Sequence, residues 1–152
     1  FKFQNEEIHL RSPGIYNYRN ALGACVVANA LGVSAKQIKA GLENFDFVSG
    51  RMETINVELK NGVHITLIKD CYNANLDSMC ASLETLKTLK KTRSIAVLGD
   101  MLELGDFSKE AHQRVGEKAF ETECALVVTF GEAAEDIASD LIKDSSEGAR
   151  KP

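Results

Sequence analysis

The chain has 152 residues, of which 44% are hydrophobic and 26% charged, and its formal net charge at pH 7 is -4. This is enough apolar material for a buried core and enough length for one domain, or for one domain and a piece of another. A net-negative chain without a basic run or interleaved aromatics gives no electrostatic reason to expect nucleic acid, and no apolar run approaches the length of a membrane span.

Residues 1–11 carry Phe1, Phe3, Ile8 and Leu10 in broken alternation, the pattern of a short hairpin. They lack the continuous apolar centre of a secretory leader, and a cytoplasmic location is expected. Pro13-Gly14 punctuates the chain, after which Leu22, Val26, Val27 and Ala30 recur at helical spacing and predict a helix over 16–31, closed by Gly32. Ser34 is a good N-cap for a second helix that carries Ile38 and Leu42 and fades at Asn44-Phe45. Two helices and a hairpin are too little to close a core, so residues 1–48 read as a piece of a larger domain with an exposed apolar face.

At Val48-Ser49-Gly50-Arg51 the hydrophobic period changes to two. Ile55, Val57 and Leu59, the turn Asn61-Gly62, and then Val63, Ile65, Leu67 and Ile68 predict a hairpin. A helix after Ser78 presents Met79, Leu83, Leu86 and Leu89; residues 93–98 and 125–130 read as buried strands, and 108–120 and 132–142 as helices. This alternation predicts an α/β fold, a mostly parallel Rossmann-like sheet with helices on both faces. Residues 143–152 are polar and aperiodic, expected to be a loop or terminus, and a sheet that stops near residue 142 is expected to lack its last strand or strands.

Cys25, Cys71, Cys80 and Cys124 contain no close pair of metal-ligand spacing, and His9, His64 and His112 are equally scattered, so reduced thiols are expected and no metal centre is. The polar chemistry gathers elsewhere. Asp70-Cys71-Tyr72-Asn73-Ala74-Asn75-Leu76-Asp77-Ser78-Met79 leads from a strand end into a helix, the place where open α/β sheets collect ligands. Its acid, phenol and amides can meet a ligand or satisfy backbone groups at a turn. Gly99-Asp100-Met101-Leu102-Glu103-Leu104-Gly105 follows a buried strand and belongs at the same sheet edge; its carboxylates can hold an ammonium, or the loop can be a turn stapled by Met101 and Leu104. Asn17 and Asn20 share one face of the first helix's opening turn, where an amide can pair with a purine or ribose or serve as a cap. Arg51 can reach a phosphate or form a surface ion pair. His112 reads as a half-buried helix residue more than as a catalytic base.

The two long motifs, the second continuing to Ser108 and His112, resemble signatures of the Mur ligases, above all the branch that adds D-alanyl-D-alanine to a UDP-N-acetylmuramoyl tripeptide. Upstream, Gly14 with Asn17, Asn20-Ala21-Leu22 and Gly50-Arg51-Met52-Glu53 resemble the end of that family's central domain and its linker. The likeness covers nearly the whole chain in the family's order. It assigns residues 1–48 to the end of the central ATP-binding domain and 49–152 to the C-terminal domain, short of its full length. Tyr16 stands where the family usually has His, Leu76 where it usually has Pro, and Cys71 where Ser is common. No glycine-rich phosphate loop with Lys and Ser or Thr occurs in these residues.

What the resemblance implies is ATP-dependent amide-bond synthesis for peptidoglycan precursors, by way of an acyl phosphate. ATP and Mg2+ are the implied cofactors, with magnesium and the phosphate-loop groups supplied by the rest of the parent enzyme. Asn17 and Asn20 would face the adenine, Arg51 the phosphates and Asp70 the ribose hydroxyls. Tyr72, Asn73, Asn75, Asp100 and Glu103 would face the incoming dipeptide. No catalytic residue is assigned within this chain, and alone it is expected to be inactive. Another Mur-type or folylpolyglutamate-synthetase-like amide ligase, and a nucleotide-binding module without catalysis, are the alternatives.

Overall fold

The structure, a computed structural model, describes residues 1–46, 48–89, 93–139 and 141. Its contacts divide the chain into two units, Phe1–Tyr72 and the residues from Asn73 onward.

In the first unit β1 (Lys2–Phe3) and β2 (Glu6–Glu7) form a short antiparallel pair, followed by α1 (Ile15–Ala30) and α2 (Ala35–Glu43). α1 ends because Gly32 adopts φ +84, which lets its N–H reach Asn29 O at 3.0 Å and the Val33 N–H reach Ala28 O at 3.0 Å. This is the paired closure of a Schellman motif. α2 begins in a capping box: Ser34 Oγ accepts the Gln37 N–H, and the Gln37 side chain accepts the Ser34 N–H. Ile8, Cys25 and Ile38 are buried together, so the hairpin and two helices close a small core where the sequence led us to expect none. The expected apolar face is present as well, since Leu22, Val26 and Val27 on α1 are exposed.

β3 (Glu53–Glu58) and β4 (His64–Lys69) pair antiparallel from Glu53 opposite Lys69 to Glu58 opposite His64. The connection is a three-residue loop rather than a two-residue turn: Leu59 N–H bonds Val63 O at 2.8 Å, and Gly62 takes the left-handed position at φ +76.

The second unit contains α3 (Leu76–Leu89), β5 (Ile95–Gly99), a 3-10 turn (Gly105–Phe107), α4 (Ser108–Glu121) and β6 (Leu126–Phe130), with helical residues again at 135–139 and 141. β5 and β6 are parallel, Ile95 opposite Leu126 through Gly99 opposite Phe130. Leu83, Ala96, Met101, Ala111, Val115 and Ile137 belong to one buried cluster under this pair. Burying a side chain the size of Val, Ile or Met is worth about 1.5–3 kcal/mol, so this cluster is the main source of the unit's stability.

The fold class is α/β, as the periodicity indicates, with the parallel ladder limited to β5 and β6 among the described residues. β4, which reads in sequence as the opening strand of the alternating series, pairs only with β3 among the described strands, because its short loop returns it onto that strand. One face of the parallel pair, with Ala96, Leu98 and Val127, packs into the core, whereas Ile95, Val97, Leu126 and Val128 on the other face are exposed. The last expected helix starts later than residue 132, after Gly131 at φ +106. Residues 140 and 142 of that helix, and the polar tail 143–152, lie outside the described residues.

Candidate functional site

In the first unit the candidate residues converge on the backbone of Met52. Asp70, at the end of β4, accepts the Met52 N–H through Oδ1 at 3.1 Å. On the other side Ser12 Oγ donates to Met52 O at 3.4 Å and accepts from Asn17 Nδ2 at 3.0 Å. Asn17 Nδ2 also donates to Pro13 O at 2.6 Å, so both of its amide protons are used. Met52 is left-handed at φ 49, with its side chain only 2% exposed. Such a backbone costs a non-glycine residue about 1–3 kcal/mol and persists where its surroundings fix it, which the two polar bonds and the buried side chain do here.

Glu53 ties the neighbouring turn. Its Oε2 accepts from Ser49 Oγ at 2.8 Å and from Gly50 N–H at 3.0 Å, and Lys69 Nζ lies 3.7 Å away. The Gly50 N–H first, then the Ser49 hydroxyl, hold this carboxyl below its usual range. Gly50 O in turn accepts the Tyr72 N–H at 3.1 Å. Gly50 suits glycine because its φ of +77 lies in the left-handed region, whereas a Cβ there would make only ordinary contact with Tyr72 N at 3.5 Å. Above this turn the Arg51 guanidinium stacks over the Tyr72 ring, 4.3 Å from its centroid, with both side chains exposed. Asn17, Arg51, Asp70 and Tyr72 are therefore brought together around residues 50–53, while Asn20 is exposed on α1 outside this network. Ser12 is the connecting residue that sequence reading missed; it bonds to Met52 across 40 positions, and no local pattern marks it.

In the second unit the amides do backbone work. Asn73 Oδ1 accepts the Ala74 N–H at 2.9 Å. Asn75 is the N-cap of α3: its Oδ1 accepts the Ser78 N–H at 2.9 Å, and Ser78 Oγ accepts the Asn75 N–H at 3.1 Å. This reciprocal cap is why α3 begins at Leu76, ahead of the position expected from its apolar spacing.

The loop after β5 is anchored at each end. Asp100 Oδ1 accepts the Ala134 N–H at 2.7 Å, and its carboxylate lies against Gly131 where any Cβ would stand. Met101 is buried and Leu104 packs on the core, the apolar staple foreseen in the sequence, while Leu102 is 75% exposed and Glu103 is exposed at φ +62. His112 is fully buried, not half-buried as expected, because its ring closes this loop onto α4. Its Nε2 accepts the Met101 N–H at 3.0 Å, and its Nδ1–H donates to Ser108 O at 2.7 Å. The pairing requires the neutral tautomer protonated at Nδ1. Asp100 and Glu103 thus share one hydrogen-bonded loop, in which Glu103 is the exposed carboxylate.

Cys25 is buried and Cys71 exposed, and all four thiols are free. Burial pushes the Cys25 and Cys80 thiols up. Among the described residues no group of three or more His, Cys, Asp or Glu is placed to hold a metal ion. No helix among them is long and apolar enough to cross a membrane.

The second unit is thus an α/β unit with a carboxylate-bearing loop at the carboxyl end of a parallel strand. Residues 50–151 match the family described as Mur ligase, glutamate ligase domain, and the chain belongs to the Mur ligase family. Its relatives there include the UDP-N-acetylmuramoyl-tripeptide--D-alanyl-D-alanine ligase of Treponema pallidum, 36% identical over 129 residues that make up 85% of this chain and 27% of that protein. A crystal structure of MurF from Acinetobacter baumannii is similar with a TM-score of 0.78 at 32% identity, covering 88% of this chain and 28% of that one. MurF ligase from Thermotoga maritima in complex with ADP is similar with a TM-score of 0.61 at 30% identity, covering 74% and 24%. The chain spans about a quarter of the length of the curated relatives it matches.

Proposed function

We propose that this chain is part of an ATP-dependent ligase of peptidoglycan precursor synthesis, which joins D-alanyl-D-alanine to a UDP-N-acetylmuramoyl tripeptide in the cytoplasm. The observation that carries this reading is the 36% identity, over 85% of the chain, to a ligase named for that reaction. ATP, with magnesium, activates the tripeptide's terminal carboxylate as an acyl phosphate, and the dipeptide amine displaces phosphate to form the amide. Residues 1–48 close the ATP-binding domain and 49–152 belong to the C-terminal domain, a division supported by a family match that begins at residue 50.

Within the first unit, Asp70 accepts the ribose hydroxyls with the same carboxylate that fixes Met52. Arg51, kept flat by the Tyr72 ring, presents its guanidinium to the phosphates, while Asn17 Oδ1 and Asn20 face the adenine. The ADP held by the Thermotoga MurF, a structural neighbour, supports a nucleotide as the ligand. Tyr72, Asn73, Asn75, Asp100 and Glu103 serve the dipeptide, the carboxylates matching its ammonium. Because the 152 residues contain no glycine-rich phosphate loop, the chain alone is inactive.

The test is amine competition in the full-length parent. With a UDP-N-acetylmuramoyl tripeptide as acceptor, D-alanyl-D-alanine should be consumed in preference to single amino acids such as L-alanine or L-glutamate. Preference for a single amino acid would move the assignment to another amide ligase.

A further inference from the structure

We propose that His112 is a positioning residue for recognition of the incoming amine, holding Leu102 and Glu103 in the geometry that meets it. The inference rests on the assignment of the loop after β5 to the dipeptide. That loop has a left-handed non-glycine residue at Glu103, φ 62, and a left-handed glycine at Gly105, φ +54, so its tip is an uncommon backbone shape that needs external restraint. The restraints are visible. Asp100 is tied to Ala134 N–H at one end and Leu104 O accepts the Phe107 N–H, 3.2 Å, at the other. Between them the Met101 N–H, next to the exposed tip, is held by His112 Nε2 at 3.0 Å.

The imidazole can do this because it is itself fixed. It has no exposed surface, and its Nδ1–H is committed to Ser108 O one helical turn back at 2.7 Å, which leaves the Nε2 lone pair aimed at the loop. A buried histidine with both ring nitrogens engaged acts on the amine through the loop, not as an acid or base. With the Met101 amide pinned, Glu103 presents its carboxylate and Leu102 its apolar surface from a preorganised tip: an acid for an ammonium beside a hydrocarbon patch for a small alkyl side chain.

Two substitutions separate this role from simple packing. His112→Gln places an amide oxygen near the Nε2 position and can keep the bond to Met101. His112→Asn can keep a donor toward Ser108 O but falls short of Met101. In the parent ligase, His112→Asn is expected to raise KM for the dipeptide at least about tenfold, the loss of one buried hydrogen bond's ordering, while KM for ATP stays within about twofold and His112→Gln stays near the wild type. Equal KM values for the dipeptide in the two variants, or parallel losses for ATP and dipeptide, would overturn the proposal. Amide hydrogen exchange in the present chain reads the same claim without turnover: Met101 should exchange faster in His112→Asn than in His112→Gln, and equal rates would refute the latch. A parent with no dipeptide-dependent turnover would refute the assigned reaction, and with it the recognition role, whatever the exchange rates show of the latch.

Discussion

Replacing Asp70 separates the structural role seen at Met52 from the nucleotide role proposed for the same carboxylate. Oδ1 accepts the Met52 N–H at 3.1 Å, and Met52 is buried in a left-handed conformation. Asp70→Asn retains an oxygen acceptor, so this bond changes from charge-assisted, about 1.5–3 kcal/mol, to neutral, about 0.5–1.5 kcal/mol, a structural loss of about 1 kcal/mol. In a chain of this size that lowers Tm by about 2–4 °C. Asp70→Ala removes the acceptor and leaves the Met52 N–H unpaired beside a buried side chain, which costs about 1–3 kcal/mol and releases the strained residue as well. The nucleotide role scales differently. If the proposed ribose contact holds, losing its charge costs about 1.5–3 kcal/mol, so both variants of the parent should need about ten- to a hundredfold more ATP. Thermal melts of the chain and ATP titrations of the parent measure the two effects independently. Asp70→Asn with an unchanged ATP dependence and a stability loss equal to that of Asp70→Ala would refute the ribose role and leave Asp70 as a brace for Met52.

Gly131→Ala is expected to cost about 3 kcal/mol, combining left-handed strain with displacement of the Asp100 carboxylate from the Ala134 N–H, whereas Gly32→Ala, with open space around it, should cost about 1 kcal/mol; chemical denaturation of both variants checks the difference. Glu53 has a lowered folded pKa, so its contribution to stability is complete above the ordinary carboxylate value of 4.5 and is lost as pH falls through the lower folded value. Glu53→Gln should therefore flatten the acid limb of stability against pH, read from urea midpoints between neutral and about pH 3. Maleimide labelling of the native chain should modify exposed Cys71 first and Cys25 and Cys80 slowly, the latter two speeding only at a pH above that of an ordinary thiol; mass mapping of the labelled peptides decides it.

Much of the local structure was legible because it is set by neighbours in sequence. Ser34 and Gln37 lie within one turn, Gly32 closes α1 by its own backbone freedom, and Gly62 with Asn61 fixes the β3–β4 loop. The Met101 and Leu104 staple was visible for the same reason. What the sequence hid was bonding across distance. Ser12 and Met52 are 40 positions apart, Asp100 and Ala134 are 34 apart, and no periodicity marks either pair. The burial of His112 was missed because a histidine on a helix gives no sign of which nitrogen will be used until the loop that it holds is in place. Asn73 and Asn75 admit two readings in sequence, ligand contact or backbone satisfaction, and the structure shows the backbone bonds.

The central claim, that these residues belong to a ligase whose amine substrate is D-alanyl-D-alanine, is tested most directly by ADP release from the purified full-length parent given ATP, magnesium and a UDP-N-acetylmuramoyl tripeptide. Release should require D-alanyl-D-alanine and yield one new amide by mass, and the present chain under the same conditions should release none. ADP release from the parent that is indifferent to the dipeptide, or turnover by this chain alone, would contradict the account.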